Sequence, residues 1–158
     1  MIRIISCGRI KEKWMRDGLA EYVKRISAYD KLEVLEEADE KTPDNNSAAE
    51  NEIVKDKEGK RILKLIKEED YVILLDLAGK TMDSEKLASF VEQLYVKGKS
   101  RIDFVIGGSL GVSKELINRA DFRWKLSDNT FPHQLCRIIV AEQIYRAFRI
   151  MHHEPYHK

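Results

Sequence analysis

Five short runs rich in Ile, Val and Leu, at residues 2–7, 32–36, 71–77, 102–106 and 122–126, punctuate this chain at intervals filled by helical patterns. That alternation constrains the fold more than any other feature. Continuous apolar strands need cover on both faces, and helices lying between them supply it. The helical patterns fall at 11–28, 47–67, 83–97, 113–119 and 132–151. In the first, Trp14, Leu19, Tyr22, Val23 and Ile26 recur at close to helical spacing. Asp83-Ser84-Glu85 supplies a helix start and Gly98 a stop. The expected architecture is a single α/β domain over residues 1–158, a mostly parallel sheet with helices on both faces. Ligands in such sheets bind beyond the carboxyl ends of the strands.

Composition narrows the class. At 158 residues with 43% hydrophobic content, the chain can bury one core. No apolar stretch reaches the roughly 18 to 20 residues of a membrane span, and Met1–Cys7 is too short for a signal peptide. Cys7 and Cys136 lack metal-ligand spacing and read as reduced core thiols, as expected in the cytoplasm. The 28 basic and 27 acidic residues leave a net charge of +1, whereas proteins that capture bare nucleic acid carry a basic excess. A nucleic-acid partner would have to be a shaped assembly met by a local basic patch.

Three strand ends carry small, flexible loops. Phe104-Val105-Ile106 delivers Gly107-Gly108-Ser109-Leu110-Gly111, and Ser113 can cap the short helix that follows. The spacing is neither a dinucleotide fingerprint nor a P-loop. Glycines there let backbone approach a ligand, although a plain tight turn explains them equally. Leu75-Asp76-Leu77-Ala78-Gly79-Lys80 ends another strand, with Gly79 read as a turn toward the next helix and Asp76 free to meet a hydroxyl or cation. Phe122 to Leu126 delivers Ser127-Asp128-Asn129-Thr130-Phe131-Pro132-His133.

Elsewhere the signals are weaker. Thr42-Pro43-Asp44-Asn45-Asn46-Ser47 is a turn cluster, and the charged helix after it reads as a solvated connector, with a mobile arm as the alternative. In 132–151, Leu135, Ile138, Ile139, Ile144, Tyr145, Phe148 and Met151 form a broad apolar surface, while Arg137, Glu142, Gln143, Arg146 and Arg149 share the rest. Such breadth suits a core helix or one buried a second time on a partner subunit. His152-His153-Glu154-Pro155-Tyr156-His157 invites a metal site, but Pro155 interrupts the helical spacing such a site needs, so no metal is expected. The polar, aromatic tail has no evident folding purpose, although last residues usually fray.

Phe104 to Ser109, Thr130-Phe131-Pro132-His133-Gln134, Glu142 to Ala147, Tyr156-His157-Lys158 and the opening Gly8-Arg9-Ile10-Lys11 together resemble the ribosomal RNA large-subunit methyltransferase H family, along the whole chain. These are small SPOUT-class enzymes that methylate pseudouridine at ring nitrogen 3. The resemblance implies a C-terminal trefoil knot, rare among folds, and a homodimer. It implies S-adenosylmethionine as methyl donor and a pseudouridine in helix 69 of 23S rRNA, within the 70S ribosome, as target. Cofactor contacts carry over to Leu75, Gly107, Leu126, Ser127, Asp128, Asn129, Thr130 and Phe131. The chain departs most from its relatives at Ser127-Asp128-Asn129, which backbone contacts would tolerate. At the tail, Tyr156 is expected to stack on or orient the base, His157 to assist the proton, and Lys158 to stabilise an oxyanion or hold phosphate. Two rival readings are a non-catalytic ribosome-associated binding protein on the same scaffold and a metal-dependent hydrolase using the terminal histidines.

Overall fold

The structure, a computed structural model, describes residues 1–42 and 44–158; Pro43 of the turn cluster lies outside the described residues. Ten elements alternate: β1 (Ile2–Cys7), α1 (Lys13–Ile26), β2 (Leu32–Glu37), α2 (Ala48–Leu63), β3 (Tyr71–Thr81), α3 (Ser84–Val96), β4 (Ile102–Ile106), α4 (Lys114–Arg119), β5 (Phe122–Lys125) and α5 (His133–Met151). The sheet order is β2-β1-β4-β3-β5 and every pairing is parallel. Among the described residues, no helix is long and apolar enough to cross a membrane.

Side-chain alternation along each strand divides the core in two. Ile2, Ile4, Phe104 and Ile73 face one side, where they pack with Leu19 of α1, Leu87 of α3 and Ile144 of α5. Ile5, Cys7, Val105 and Leu74 face the other, against Ile62 of α2 and Leu116 of α4. Helices therefore cover both faces. Their ends follow local chemistry. Asp83 accepts from Lys86 N to open α3. Gly98, at φ +78, closes it with a Schellman pair, Gly98 N to Tyr95 O and Lys99 N to Leu94 O. Ser47 and Glu50 form a complete capping box on α2.

Three local expectations need correction. β3 does not stop at 77: after an irregularity between Leu75 and Lys80 it pairs with β5 again, through Trp124 and Lys125. Gly79 is thus part of the strand rather than a turn, and a Cβ there would lie 2.5 Å from the Arg123 carbonyl oxygen. α2 ends at Leu63 rather than 67, because Arg3 takes the Leu65 carbonyl and Asp70 caps Lys67 N in a separate turn. Arg137 is not on a polar face. It is fully buried, donates to the Cys7 carbonyl at 2.6 Å and sits 3.3 Å from Glu36. Burial pulls its guanidinium below the ordinary value, with Glu36 opposing.

A buried ionic cluster ties the sheet to its surroundings. Arg3 on β1 faces Asp103 on β4 in register and donates to both its oxygens, at 2.7 and 2.6 Å. It also reaches Asp70 at 3.0 Å, and Arg101 grips the same Asp70 carboxylate at 2.7 and 2.9 Å. Burial pushes the Asp103 carboxyl up, while Arg3 opposes it. Asp70 is also raised by burial, but Arg101, Lys67 N and Arg3 outweigh that and hold it below the usual carboxylate range. Removing one partner of a buried pair strands the other charge. Asp103→Ala should therefore cost about 3–5 kcal/mol in urea unfolding. An exposed-pair change such as Lys13→Ala, which breaks only the contact with Asp17, should cost under about 1 kcal/mol.

Candidate functional site

The irregular middle of β3 and the carboxyl ends of β4 and β5 open onto a cleft of about 640 Å³. Seven of the eight expected cofactor positions line it: Leu75 from β3, Gly107 from the loop after β4, and Leu126, Ser127, Asn129, Thr130 and Phe131 from the loop after β5. Asp128 does not; its side chain is 90% exposed and pairs with Lys125. Leu77, Ile106, Val112 and Cys136 give the cleft apolar walls. Asp76 borders it, its carboxylate held by Arg123 at 2.6 Å and by Ala78 N at 2.9 Å. His133, at the start of α5, adds an imidazole held below its ordinary pKa by burial and by nearby Arg137.

The glycine loop is built from below as much as for a ligand. A Cβ on Gly107 would lie 2.7 Å from Val112 Cγ1 and 2.8 Å from the Gly111 carbonyl oxygen, so the loop folds tightly on itself. Gly111 N closes it on Gly108 O at 3.1 Å, and Gly111 takes φ +101, open to glycine at little cost. Beneath it stands α2. A Cβ on Gly108 would meet the Glu58 carboxylate at 2.8 Å. A Cβ on Gly59 would collide with Ser113 Oγ and lie 3.1 Å from Ser113 Cβ. Glu58-Gly59 thus clamps the loop at its start and at the cap of α4, where Ser113 accepts from Leu116 N. Glu58 is buried, and burial pushes its carboxyl above the usual range, aided by nearby Asp39. The charged helix read as a solvated connector is exposed over much of its first half and packed at Glu58, Gly59 and Ile62. The sequence signal for this was Gly59 inside a helical pattern, a position that commonly marks close approach.

A second cavity of about 550 Å³ adjoins the first and shares Trp124, Leu126, Ser127 and Phe131 with it. Its other walls come from the start of α3 (Ser84, Glu85), from Gln143 on α5, and from His157. The tail does not fray. Arg149 donates to the Pro155 carbonyl at 2.7 Å, and Tyr29 donates to Glu154 at 2.8 Å. Tyr156 packs edge-on to Tyr145 with centroids 4.9 Å apart, lies under the Arg146 guanidinium at 4.6 Å, and donates to Glu142 at 3.1 Å. Burial, with Tyr22 and Glu142, pushes its phenol up to about 12, so it remains a neutral donor near pH 7. Arg146 Nη1 lies 3.3 Å from His157 Nδ1, and His157 Nε2 lies 3.6 Å from Glu85. Lys158 is exposed. Trp124 escaped sequence reasoning because it sits inside β5 with no motif of its own, while Glu85 and Gln143 were read only as part of a helix start and of a helix's polar face and family run. Among the described residues, no three His, Cys, Asp or Glu side chains are grouped to hold a metal.

The family model described as "Predicted SPOUT methyltransferase" matches residues 1–157. The chain belongs to that family. It is 54% identical over 157 residues to a protein of Clostridium kluyveri named "Ribosomal RNA large subunit methyltransferase H", covering 99% of both chains. A protein of the same name from Acetivibrio thermocellus is 52% identical, again over 99% of both chains. These relatives place the chain in the methyltransferase H family that its motifs resembled. A probable methylase family protein from Haemophilus influenzae Rd KW20 superposes with a TM-score of 0.53 at 15% identity, covering 99% of this chain and 70% of that one. That likeness is one of fold, and it agrees with the parallel SPOUT-type sheet.

The clamp on the glycine loop is testable. Gly59→Val would force α2 and α4 apart at Ser113, and overpacking of this kind costs about 1–3 kcal/mol. Thermal unfolding should show that loss. A Gly98→Ala control, with open space at its Cβ but a φ of +78, should lose about 1 kcal/mol through backbone strain alone.

Proposed function

We propose that the protein methylates nitrogen 3 of a pseudouridine in helix 69 of 23S rRNA, acting in the cytoplasm on the assembled 70S ribosome with S-adenosylmethionine as donor. The observation that carries this reading is the convergence of Leu75, Gly107, Leu126, Ser127, Asn129, Thr130 and Phe131 on one cleft, with the tail beside it. Family membership and the names of the relatives support the reaction class.

The cleft suits the donor. An adenosyl group requires apolar walls, backbone donors and acceptors, and little bulk where backbone meets ligand. Leu75, Leu77 and Ile106 answer the first need, and the Gly107–Gly111 and Leu126–Phe131 loops the others. Bound there, S-adenosylmethionine would supply a sulfonium-activated methyl, and the imide nitrogen that takes it would give up its proton to solvent. The chain's own work is alignment and charge stabilisation. Tyr156 orients the acceptor region through Tyr145 and Glu142, His157 eases loss of the proton, and Lys158 meets phosphate or developing negative charge.

The reading includes a trefoil-knotted path for the C-terminal third. The irregular middle of β3 and the loops after β4 and β5 crowd one cleft, which fits such a path. It also includes a homodimer through α5, where Leu135, Ile139 and Ile150 remain only half-buried. A net charge of +1 suits an enzyme that recognises an assembled particle by shape rather than naked RNA by charge.

Gly107→Val should weaken S-adenosylmethionine binding about tenfold to a hundredfold in calorimetry, since its branched side chain would collide with Val112 and Gly111 and open the loop. Wild-type affinity in that variant would remove Gly107 from the site. Deleting Tyr156-His157-Lys158 should leave cofactor affinity nearly unchanged and lower methyl transfer to 70S particles about a hundredfold or more. Full activity of the truncated protein would remove the tail from the reaction. Efficient transfer to protein-free rRNA by the wild type would overturn recognition of the assembled ribosome.

A further inference from the structure

β3 leaves its ladder with β5 at the larger cleft and then rejoins it. Leu75 and Lys80 both register with Trp124, so Asp76, Leu77, Ala78 and Gly79 form a bulge opposite a single residue. A bulge forfeits ladder hydrogen bonds, and bulges beside active sites re-aim a side chain. Here one residue of β5 holds both ends of it. Arg123 donates from Nε at 2.7 Å to Asp76 Oδ2, and its Nη2 lies 2.6 Å from the same oxygen. The other oxygen, Oδ1, accepts from Ala78 N at 2.9 Å. At the far end Gly79 lies so close to the Arg123 backbone that a Cβ would sit 2.5 Å from its carbonyl oxygen. Between these anchors Leu77 is 63% exposed and lines the same cleft as Ile106, Leu126 and Phe131. A lone exposed leucine is ordinary; one held at a cleft wall by a latched bulge has a use that packing does not explain.

Resting on the assignment of S-adenosylmethionine to this cleft, we propose that Arg123 and Asp76 are a positioning pair for donor binding, holding the bulge in the shape that lays Leu77 against the adenosyl group. Arg123 stays outside the lining of the cleft, so it acts through Asp76 and the bulge. An adenosyl group presents a flat apolar ring face, and burying an exposed leucine against it removes apolar surface of both from water. With the latch broken, the residues from Asp76 to Gly79 would have to be ordered again each time a donor bound, and that ordering is subtracted from the affinity. Both Asp76 oxygens already have partners within the protein. Its carboxylate therefore serves the bulge rather than a ribose hydroxyl.

The test is calorimetry of S-adenosylmethionine and of S-adenosylhomocysteine on the full chain, with thermal unfolding run on each variant. Leu77→Ala should leave the unfolding temperature within about 2 °C of the wild type. It should weaken both ligands about tenfold and equally, because both carry the adenosyl group. Arg123→Ala and Asp76→Ala should each lose about tenfold as well, and combining Leu77→Ala with Arg123→Ala should add less than about twofold, since the two changes remove one contact. Arg123→Lys should stay within about threefold of the wild type, because a single ammonium can still reach Asp76 Oδ2. Unchanged affinity in Leu77→Ala or in Arg123→Ala overturns the assignment, and so do additive losses in the double variant. A loss confined to Asp76→Ala overturns it too, by marking that carboxylate as a direct contact of the ligand. Unequal losses for the two ligands would place Leu77 at the sulfonium and overturn the adenosyl contact. If Arg123→Ala fails to fold, Leu77→Ala and Arg123→Lys still decide. Wild-type affinity in Gly107→Val would instead remove the donor from this cleft, a failure of the underlying assignment that is distinct from all of these.

Discussion

The contact between Arg3 and Asp103 sets the geometry on which the rest of the molecule depends. β1 is buried along its whole length and β4 is too. Strands that are apolar on both faces lack the usual penalty against slipping by one residue, since a slip exposes nothing new. A buried arginine opposite a buried aspartate removes that freedom. Moving β4 one position would leave both charges in the core without partners, at several kcal/mol. Because Arg3 also holds Asp70 and the Leu65 carbonyl, the same cluster places the end of α2 and the beginning of β3. The point at which β4 releases Gly107 follows from that register.

Above the sheet, the site is assembled from elements that have little cohesion of their own. The glycine loop is pressed between Val112 and the Glu58-Gly59 step of α2, and α4 is a short helix whose cap, Ser113, is packed against Gly59. A helix with a charged exterior thus determines the shape of a largely apolar cleft. The arrangement explains why two adjacent glycines are needed after β4: Gly107 accommodates its own loop and Gly108 accommodates α2. Neither role requires a positive φ, and both require the missing Cβ.

The tail shows how terminal residues are held without a core. Glu154, Pro155, Tyr156 and His157 are gripped by Arg149, Tyr145 and Arg146 of α5 and by Tyr29 in the turn after α1. These contacts are partly exposed and individually modest. Together they bring His157 to the rim of the second cavity. α5 serves at once as a core helix, a frame for the tail and, on the proposed reading, a dimer surface.

The alternation of apolar runs and helical patterns was enough to foresee a parallel α/β sheet, because strand burial and helix cover are consequences of periodicity. The helix starts at Asp83 and Ser113 and the stop at Gly98 were legible for the same reason: they depend on residues within a few positions. The family resemblance added eight expected cofactor positions, seven of which meet in one cleft. What the sequence could not show is what depends on distant partners. Arg137 carries the same charge whether it faces water or the Cys7 carbonyl. Glu58 looks like any exposed helix acid until α2 is laid against Gly108. The length of β3 depended on β5 returning to pair beyond an irregularity, and Trp124 became part of both cavity walls only when β5 was laid against β3. Local chemistry decides which elements form; the environment of each polar group is decided by which elements touch, and that belongs to the tertiary structure alone.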